Sequence, residues 1–231
     1  MVQEGSLART HEASPGLPRG RSSLPQTAVR AAQRQRLLTA AVAAVAETGF
    51  HAMTVADVVR RAKVSRAAFY VHFTDKENCF LSATAHGGAL LFEAVLTATR
   101  GTPSDATPED VLRAGCRAFL RFLADEPAFA RVFYVDMPAG GADAVARMDA
   151  AQHRFAELNR EWHERSKRRR PGWPDVPYDA YLGLSGATTE LVSMRVRRGR
   201  TAELPELEDT LVALHLAVLA GRAWPADARD R

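Results

Sequence analysis

Residues Thr54–Lys76, reading TVADVVRRAKVSRAAFYVHFTDK, constrain the chain more than any other stretch, because they encode two short helices joined by a tight turn. Val55, Val58, Val59 and Ala62 recur at i, i+3, i+4 and i+7, the apolar stripe of one helix, with Arg60 and Arg61 on other faces. Thr54 is placed to cap that helix, and Asp57, three residues on, completes a capping box. The second helix opens at Ser65, a favoured N-cap, and runs through Val71 for barely two turns. At about 100° per residue, Phe69 and Phe73 fall on one side as core anchors while Arg66, Ala67 and Tyr70 face the other. Lys63 occupies the turn, where a left-handed conformation carries a steric penalty for any residue but glycine.

An outward face of this composition suits a DNA groove. Arg66 can donate two parallel bonds to guanine O6 and N7, while Ala67 and Ala68 let the helix backbone approach the major-groove floor and touch thymine methyls. Tyr70, His72 and Lys76 carry the hydroxyl, imidazole and ammonium that phosphate contacts use to fix register. Thr74 and Glu77 have the spacing of a second capping box, which places Lys76 in the first turn of another helix. Each of these side chains taken singly also reads as an ordinary solvated residue, and Arg66 as a phosphate contact only.

With those residues in view, the segment resembles the DNA-binding domain of the TetR family of bacterial transcriptional regulators, over roughly residues 31–91. The family pattern is met by Thr54, Val64-Ser65, Phe69-Tyr70-Val71-His72-Phe73 and Lys76-Glu77, with Lys63 and Ala67 where glycines are commoner. The resemblance implies an all-α chain with a helix-turn-helix motif over 54–73. It implies DNA contacts from Thr54, Val64, Ser65, Arg66, Ala67, Ala68, Tyr70, His72 and Lys76. It also implies a helical C-terminal domain over 92–221 for effector binding and dimerisation.

Charge agrees with a nucleic-acid partner for the N-terminal part. Residues 1–91 carry eleven Lys and Arg against six Asp and Glu, while residues 92–231 carry twenty against twenty-one, so the basic excess lies beside the motif. No uninterrupted apolar run of about 18 residues is present and the start lacks a secretory pattern, so a cytoplasmic protein without a membrane span is expected. Cys79 and Cys116 show no metal-type spacing and are expected as reduced thiols. No His, Cys or carboxylate grouping predicts a metal or other cofactor, and no phosphate loop or nucleophile elbow predicts an enzyme.

Residues 1–30 read as a disordered basic tail, rich in Ser, Pro, Gly and Arg, from which Arg19, Arg21 and Arg30 can reach a minor groove. A first helix is expected over about 31–47 and a fourth over about 75–99. Gly87 and Gly88 interrupt the fourth, either for close packing or as a flexible point. Beyond residue 100, Thr107-Pro108-Glu109-Asp110 opens another helix. Further helices are expected from Pro127 to Pro138, over about 142–169, 178–198 and 205–220, with a tail over 222–231.

By resemblance, Phe92, Phe119, Phe122, Phe133, Met137, Phe155 and Trp162 lie on the helices that surround an effector cavity, and their chemistry suits an apolar or aromatic small molecule. The last two helices lack a long polar face. In the family resembled, such helices pair with their copies in a second subunit, which assigns Leu184, Ala187, Leu191, Leu207, Leu211, Leu214 and Val218 to a homodimer interface, with Gly183 and Gly186 permitting close approach. A symmetric dimer implies a palindromic operator. The basic runs at 165–170 and 195–200 fit solvated helix C-termini better than a second nucleic-acid site. The expected function is a homodimeric repressor released from its operator by a small-molecule effector. The alternative is a DNA-bound activator, or a regulator controlled by a protein partner.

Overall fold

A computed structural model describes residues 5–10 and 25–222, and all of its regular structure is helical. The helices are α1 (Gln26–Thr48), α2 (Val55–Ala62), α3 (Arg66–His72), α4 (Lys76–Arg100), α5 (Pro108–Asp125), α6 (Pro127–Arg131), α7 (Gly141–Arg169), α8 (Tyr178–Arg197) and α9 (Glu208–Leu219). A π-helical turn, Val132–Asp136, and a 3-10 turn, Met137–Gly140, join α6 to α7, and a 3-10 turn, Thr201–Leu207, precedes α9. Arg19, Arg21 and residues 223–231 lie outside the described residues.

Helix α1 starts five residues before the position that apolar periodicity indicates. Its first turns are exposed and carry no stripe, but Pro25 sets the entry and nothing before Gly49, at φ 80°, stops the helix. Residues 5–10 also depart from a disordered tail, since Leu7 and Ala8 are buried. At the start of α4 the cap is Asp75 rather than Thr74: Asp75 Oδ1 accepts from the Asn78 amide at 2.7 Å, and the Thr74 hydroxyl donates to Asp75 Oδ2 at 2.9 Å. Thr107 caps α5 as expected, and Asp110 makes the contact reciprocal, with Asp110 N donating to Thr107 Oγ1 at 3.2 Å and Thr107 N to Asp110 Oδ2 at 2.9 Å.

The helices form two compact units. The first comprises residues 1–89 and 125–145, the second residues 90–124 and 146–231. A single break after residue 91 does not describe this, because the 125–145 segment packs with the N-terminal helices, α6 and the π-helical turn lying against α1. In the first unit α1, α2 and α3 pack on one another around Leu37, Leu38, Val58, Ala62, Phe69 and Phe73, all buried.

Gly87 belongs to the first unit and shows why α4 tolerates a glycine there. A Cβ would stand 2.2 Å from Phe129 Cε2, and Phe129 is fully buried. At Gly88 the nearest atom to a Cβ, from Phe133, is 3.9 Å away, an ordinary contact. Close packing, not a flexible point, therefore explains Gly87, and α4 runs through it unbroken. Gly87→Ala is expected to destabilise by about 1–3 kcal/mol through overpacking. Gly88→Ala is expected to be neutral or to stabilise by up to about 1 kcal/mol through helix propensity. Urea unfolding of the two single variants checks the pair. Equal effects would show that Phe129 does not set the requirement.

The second unit is tied by polar contacts between elements distant in sequence. Arg113 and Arg117 on α5 meet Glu208 on α9, at 3.0 and 2.8 Å. The Trp162 indole on α7 donates to the Pro108 carbonyl at 3.0 Å, and His163 Nδ1 pairs with the Tyr181 hydroxyl on α8 at 2.7 Å. His215 on α9 is buried and donates from Nδ1 to the Leu211 carbonyl at 2.7 Å.

Burial holds the pKa of both His163 and His215 below the ordinary imidazole value. The folded chain keeps them neutral while the unfolded chain protonates them near pH ~6.5. The unfolded state thus binds more protons below that pH, so stability is full above it and is lost as pH falls through it. The urea midpoint is expected to drop between about pH 7.5 and about pH 5.5, and to drop less in His215→Gln. An identical drop in that variant would remove His215 from the explanation.

Candidate nucleic-acid interface

The reading pair is built from local signals outward. Thr54 Oγ1 accepts from the Asp57 amide at 3.1 Å while Asp57 Oδ2 accepts from the Thr54 amide at 3.2 Å, the reciprocal box that its spacing implies. Those bonds, the Thr54 hydroxyl's first, hold the Asp57 carboxyl below its usual range, so it stays ionised at the positive end of α2. Lys63 takes the left-handed turn at φ 53° and ψ 42°, a lysine doing what glycine does at lower cost. Ser65 Oγ then accepts from the Ala68 amide at 3.1 Å and starts α3.

Phe69 is fully buried, packs edge-on and tilted against its neighbours in α3, and lies 5.6 Å from the Phe73 ring. Those two rings turn the opposite side of α3 to solvent. Ser65, Arg66, Ala67 and Tyr70 are exposed and Ala68 half-exposed, and Tyr70 keeps 50% of its surface open. Arg66 and Tyr70 already associate, the guanidinium 5.9 Å from the ring centroid and its Nη2 3.5 Å from the hydroxyl. An arginine stacked on a tyrosine at i, i+4 loses less side-chain freedom when it docks on a base edge.

Three expected contacts come out differently. Val64 is buried at 9% exposure, so its side chain belongs to the packing of the turn and not to a DNA surface. Thr54 is exposed, but both roles of its hydroxyl are spent on Asp57. Lys76 is half-buried and its ammonium donates to three carbonyls of the α1–α2 loop, those of Phe50 at 3.4 Å, His51 at 3.0 Å and Met53 at 3.1 Å. An ammonium has three donors, so these bonds use its capacity. Lys76 fastens the start of α4 to that loop and is not free to reach a phosphate.

Lys76→Met is accordingly expected to destabilise by about 1–3 kcal/mol, since three carbonyls lose a charged donor. It is also expected to leave the slope of log DNA affinity against log salt unchanged. A phosphate contact would reduce that slope by about 1, and finding such a change would restore Lys76 to the interface.

Two residues enter the surface that sequence patterning did not single out. Val71 is 62% exposed beside Tyr70, an apolar side chain on the solvent face of α3. Arg34 is exposed on α1 with its guanidinium 5.6 Å from the Phe73 ring. Burial first, then the charges of Arg34 and Arg30, hold the His72 imidazole below its ordinary pKa, which brings both α1 arginines to the end of α3. His72 Nε2 lies 3.4 Å from the Gln33 Oε1, so that ring is braced by α1. The signal for Arg34 was hidden because its turn of α1 has no apolar stripe.

The residues assigned to an effector cavity divide. Phe133 and Met137 belong to the first unit, where Met137 is buried and Phe133 lies 5.6 Å from Phe129. Phe92, Phe119, Phe122, Phe155 and Trp162 belong to the second. There Phe155 meets Phe92 and Phe119 edge-on at 5.4 and 5.5 Å, and Arg154 covers Phe92 at 3.7 Å. Phe122 is half-buried. Trp162 is committed to the Pro108 carbonyl and to Trp173, 5.5 Å away, and is a packing residue.

Ser185 and Thr188, on α8, are polar candidates that sequence reading missed. Their hydroxyl oxygens are buried and lack a hydrogen-bond partner among the described residues. Thr84 and Ser166 on other helices instead donate to the carbonyls four residues back, at 3.2 and 2.7 Å.

The residues assigned to a dimer interface also divide. Leu184, Leu207 and Leu211 are buried within the single chain, at 3%, 4% and 1% exposure, and so belong to its own core. Ala187, Leu191 and Leu214 are half-buried, Val218 is exposed, and a Cβ on Gly183 or Gly186 would meet nothing within 4 Å. The basic runs are engaged locally: Lys167 pairs with Asp175, Arg169 donates to the Ala106 carbonyl at 2.8 Å, and Arg197 meets Glu190 at 2.7 Å.

An exposed, capped reading helix on a buried aromatic anchor defines a helix-turn-helix protein. Residues 37–83 match the family described as bacterial regulatory proteins, tetR family. Over 61 residues the chain is 41% identical to the HTH-type transcriptional regulator BetI of Serratia proteamaculans (strain 568), a match that spans 26% of this chain and 30% of that protein.

Larger similarities are to solved folds. The fatty acid degradation regulator FadR from Bacillus halodurans superposes with a TM-score of 0.72 at 18% identity, over 84% of this chain and 97% of that one. FadR from Bacillus subtilis, solved in complex with stearoyl-CoA, gives 0.69 at 16% identity, over 81% and 98%. A TetR-like regulator from Rhodococcus sp. RHA1 gives 0.63 at 26% identity, over 86% and 100%.

Proposed function

We propose that the chain is a homodimeric transcriptional repressor that holds a palindromic operator through α3 and leaves it when a small molecule enters the second unit. The observation that carries the reading is the exposed Arg66–Tyr70 pair on a short helix whose other side is locked by Phe69 and Phe73. Arg66 reads a guanine, Ala67 and Val71 allow or make thymine-methyl contact, and Tyr70, with Arg34, fixes register on phosphates.

A second copy pairs through the outer faces of α8 and α9, where Gly183, Gly186, Ala187, Leu191, Leu214 and Val218 remain available. Two-fold pairing presents two α3 helices to half-sites about one helical turn apart. The effector has an apolar body, received by Phe92, Phe119 and Phe155, and one polar group for the Ser185 and Thr188 hydroxyls, which otherwise stay buried at a cost of about 1–3 kcal/mol each. The stearoyl-CoA complex of the similarly folded Bacillus subtilis protein makes acyl thioesters the first class to try. Release requires only that the effector prefer the conformation with misplaced reading heads, and coupling of about 1–3 kcal/mol lowers DNA affinity some 5- to 150-fold.

Selection of bound fragments from genomic DNA by the purified chain, followed by a screen of acyl thioesters and aromatic metabolites for release, tests this function. A shared two-fold sequence and release by one class are expected. Selection of no shared sequence would overturn the DNA reading. Shared sequence without release by any small molecule would leave a regulator governed by a protein partner.

A further inference from the structure

Glu126 stands at the start of α6, where an acidic side chain ordinarily caps the helix, yet it makes no capping bond to α6. Its carboxylate is turned instead to the N-terminal segment. Oε1 accepts from the Ser6 amide at 2.9 Å and from the Ser6 hydroxyl at 2.5 Å, and Oε2 accepts from the Leu7 amide at 2.8 Å. Glu126 is 8% exposed, Leu7 6% and Ala8 1%, so carboxylate and peptide bury one another. Gly5 enters this turn at φ +70°, and a Cβ there would lie 2.2 Å from Glu126 Oε2 and 2.9 Å from the Asp125 carbonyl.

These features are those of a peptide-docking site. A buried carboxylate needs donors, and bonds from N–H and O–H groups to an ionised acceptor are about twice as strong as neutral ones. Two consecutive amides and a hydroxyl satisfy it, a glycine is required in front, and two apolar side chains follow. All the residues involved belong to the first unit, in which α6 packs on α1 and Phe129 of α6 fills the space that Gly87 leaves on α4. Helix α1 in turn packs on α2 and α3.

We propose that residues 5–8 are an intrachain latch on Glu126 that holds α6 against α1 and thereby supports the reading pair. The structural half of this stands by itself, and the effect on operator affinity rests on the DNA-binding function proposed above. The latch acts through α6 and not by touching DNA, so its removal lowers affinity without changing the number of phosphate contacts.

The test uses the full chain, the Gly5→Val variant and a chain lacking residues 1–10, with hydrogen exchange at the α6 amides and operator affinity as separate readouts. Both altered chains are expected to exchange about tenfold or more faster over residues 127–131. They are expected to bind operator at least about fivefold more weakly, with an unchanged salt slope. A synthetic peptide of residues 1–10 added to the shortened chain is expected to restore protection, and the same peptide with Gly5→Val is not. Unchanged exchange, or restoration by both peptides, would overturn the docking site. Faster exchange with unaltered affinity would overturn the support of the reading pair. Protection in the full chain that disappears on dilution would assign the segment to a second copy and overturn the intrachain latch. A full chain that binds no DNA bears on the proposed function alone, because exchange still reports on the docking.

Discussion

Arg66→Ala is expected to weaken operator binding by about 1–3 kcal/mol, roughly 5- to 150-fold, with the loss concentrated at one guanine in each half-site. The side chain is exposed and its stack on Tyr70 is an external contact, so the fold should keep its unfolding midpoint within about 0.5 kcal/mol. Tyr70→Phe separates the two parts of the pair. It keeps the ring under the guanidinium and removes the hydroxyl, so base preference should persist while affinity falls uniformly across sequences. Competition titrations against operators carrying single base changes distinguish these outcomes. If Arg66→Ala binds every such operator as the parent does, Arg66 is no base reader.

Phe69→Ala should act in the opposite manner, removing the anchor and leaving the reading face chemically intact. A fully buried phenylalanine replaced by alanine costs about 3–5 kcal/mol in transfer and cavity terms. Phe69 also contributes ring contacts to Tyr70 and Phe73, at 5.3 and 5.6 Å, so α3 loses its orientation as well as its core. The expected result is a first unit that unfolds at much lower urea and binds DNA only weakly, while helicity of the second unit persists. A change below about 1 kcal/mol would mean that the ring is not the element that holds α3.

The parts of this architecture that were legible in the sequence are those encoded within one or two helical turns. The Thr54 capping box, the Ser65 cap and the division of α3 into a Phe69 side and an Arg66 side are local patterns, and each forms as its spacing implies, whereas the Thr74–Glu77 box gives way to a cap by the adjacent Asp75. What escaped depends on partners far along the chain. Lys76 has the chemistry of a phosphate contact, and only the carbonyls of residues 50–53, brought to it by the α1–α2 loop, convert it into a clamp.

Leu184, Leu207 and Leu211 share the apolar period of Leu191 and Leu214, and periodicity does not distinguish burial within one chain from burial against another. Gly87 and Gly88 are adjacent and chemically identical. Only the Phe129 ring separates the one that must be glycine from the one that need not. The packing of residues 125–145 with the N-terminal helices left no trace in composition, and neither did the use of Glu126 as an anchor for Ser6 and Leu7.

Lys63 holds the turn between α2 and α3 in the left-handed conformation. A left-handed lysine carries a penalty that glycine avoids, yet it adds a cation to an exposed turn next to the reading helix. Arg30, Arg34, Lys63 and Arg66 are all exposed, so the surface around α3 carries positive charge.

Methylation interference at guanine N7 on a genomic fragment selected by the full chain tests entry of α3 into the major groove most directly. The expected pattern is two groups of sensitive guanines related by two-fold symmetry and centred about one helical turn apart, with one guanine in each group losing its sensitivity for Arg66→Ala. Interference that is absent from the major groove, or that is the same for the parent and Arg66→Ala, would contradict it.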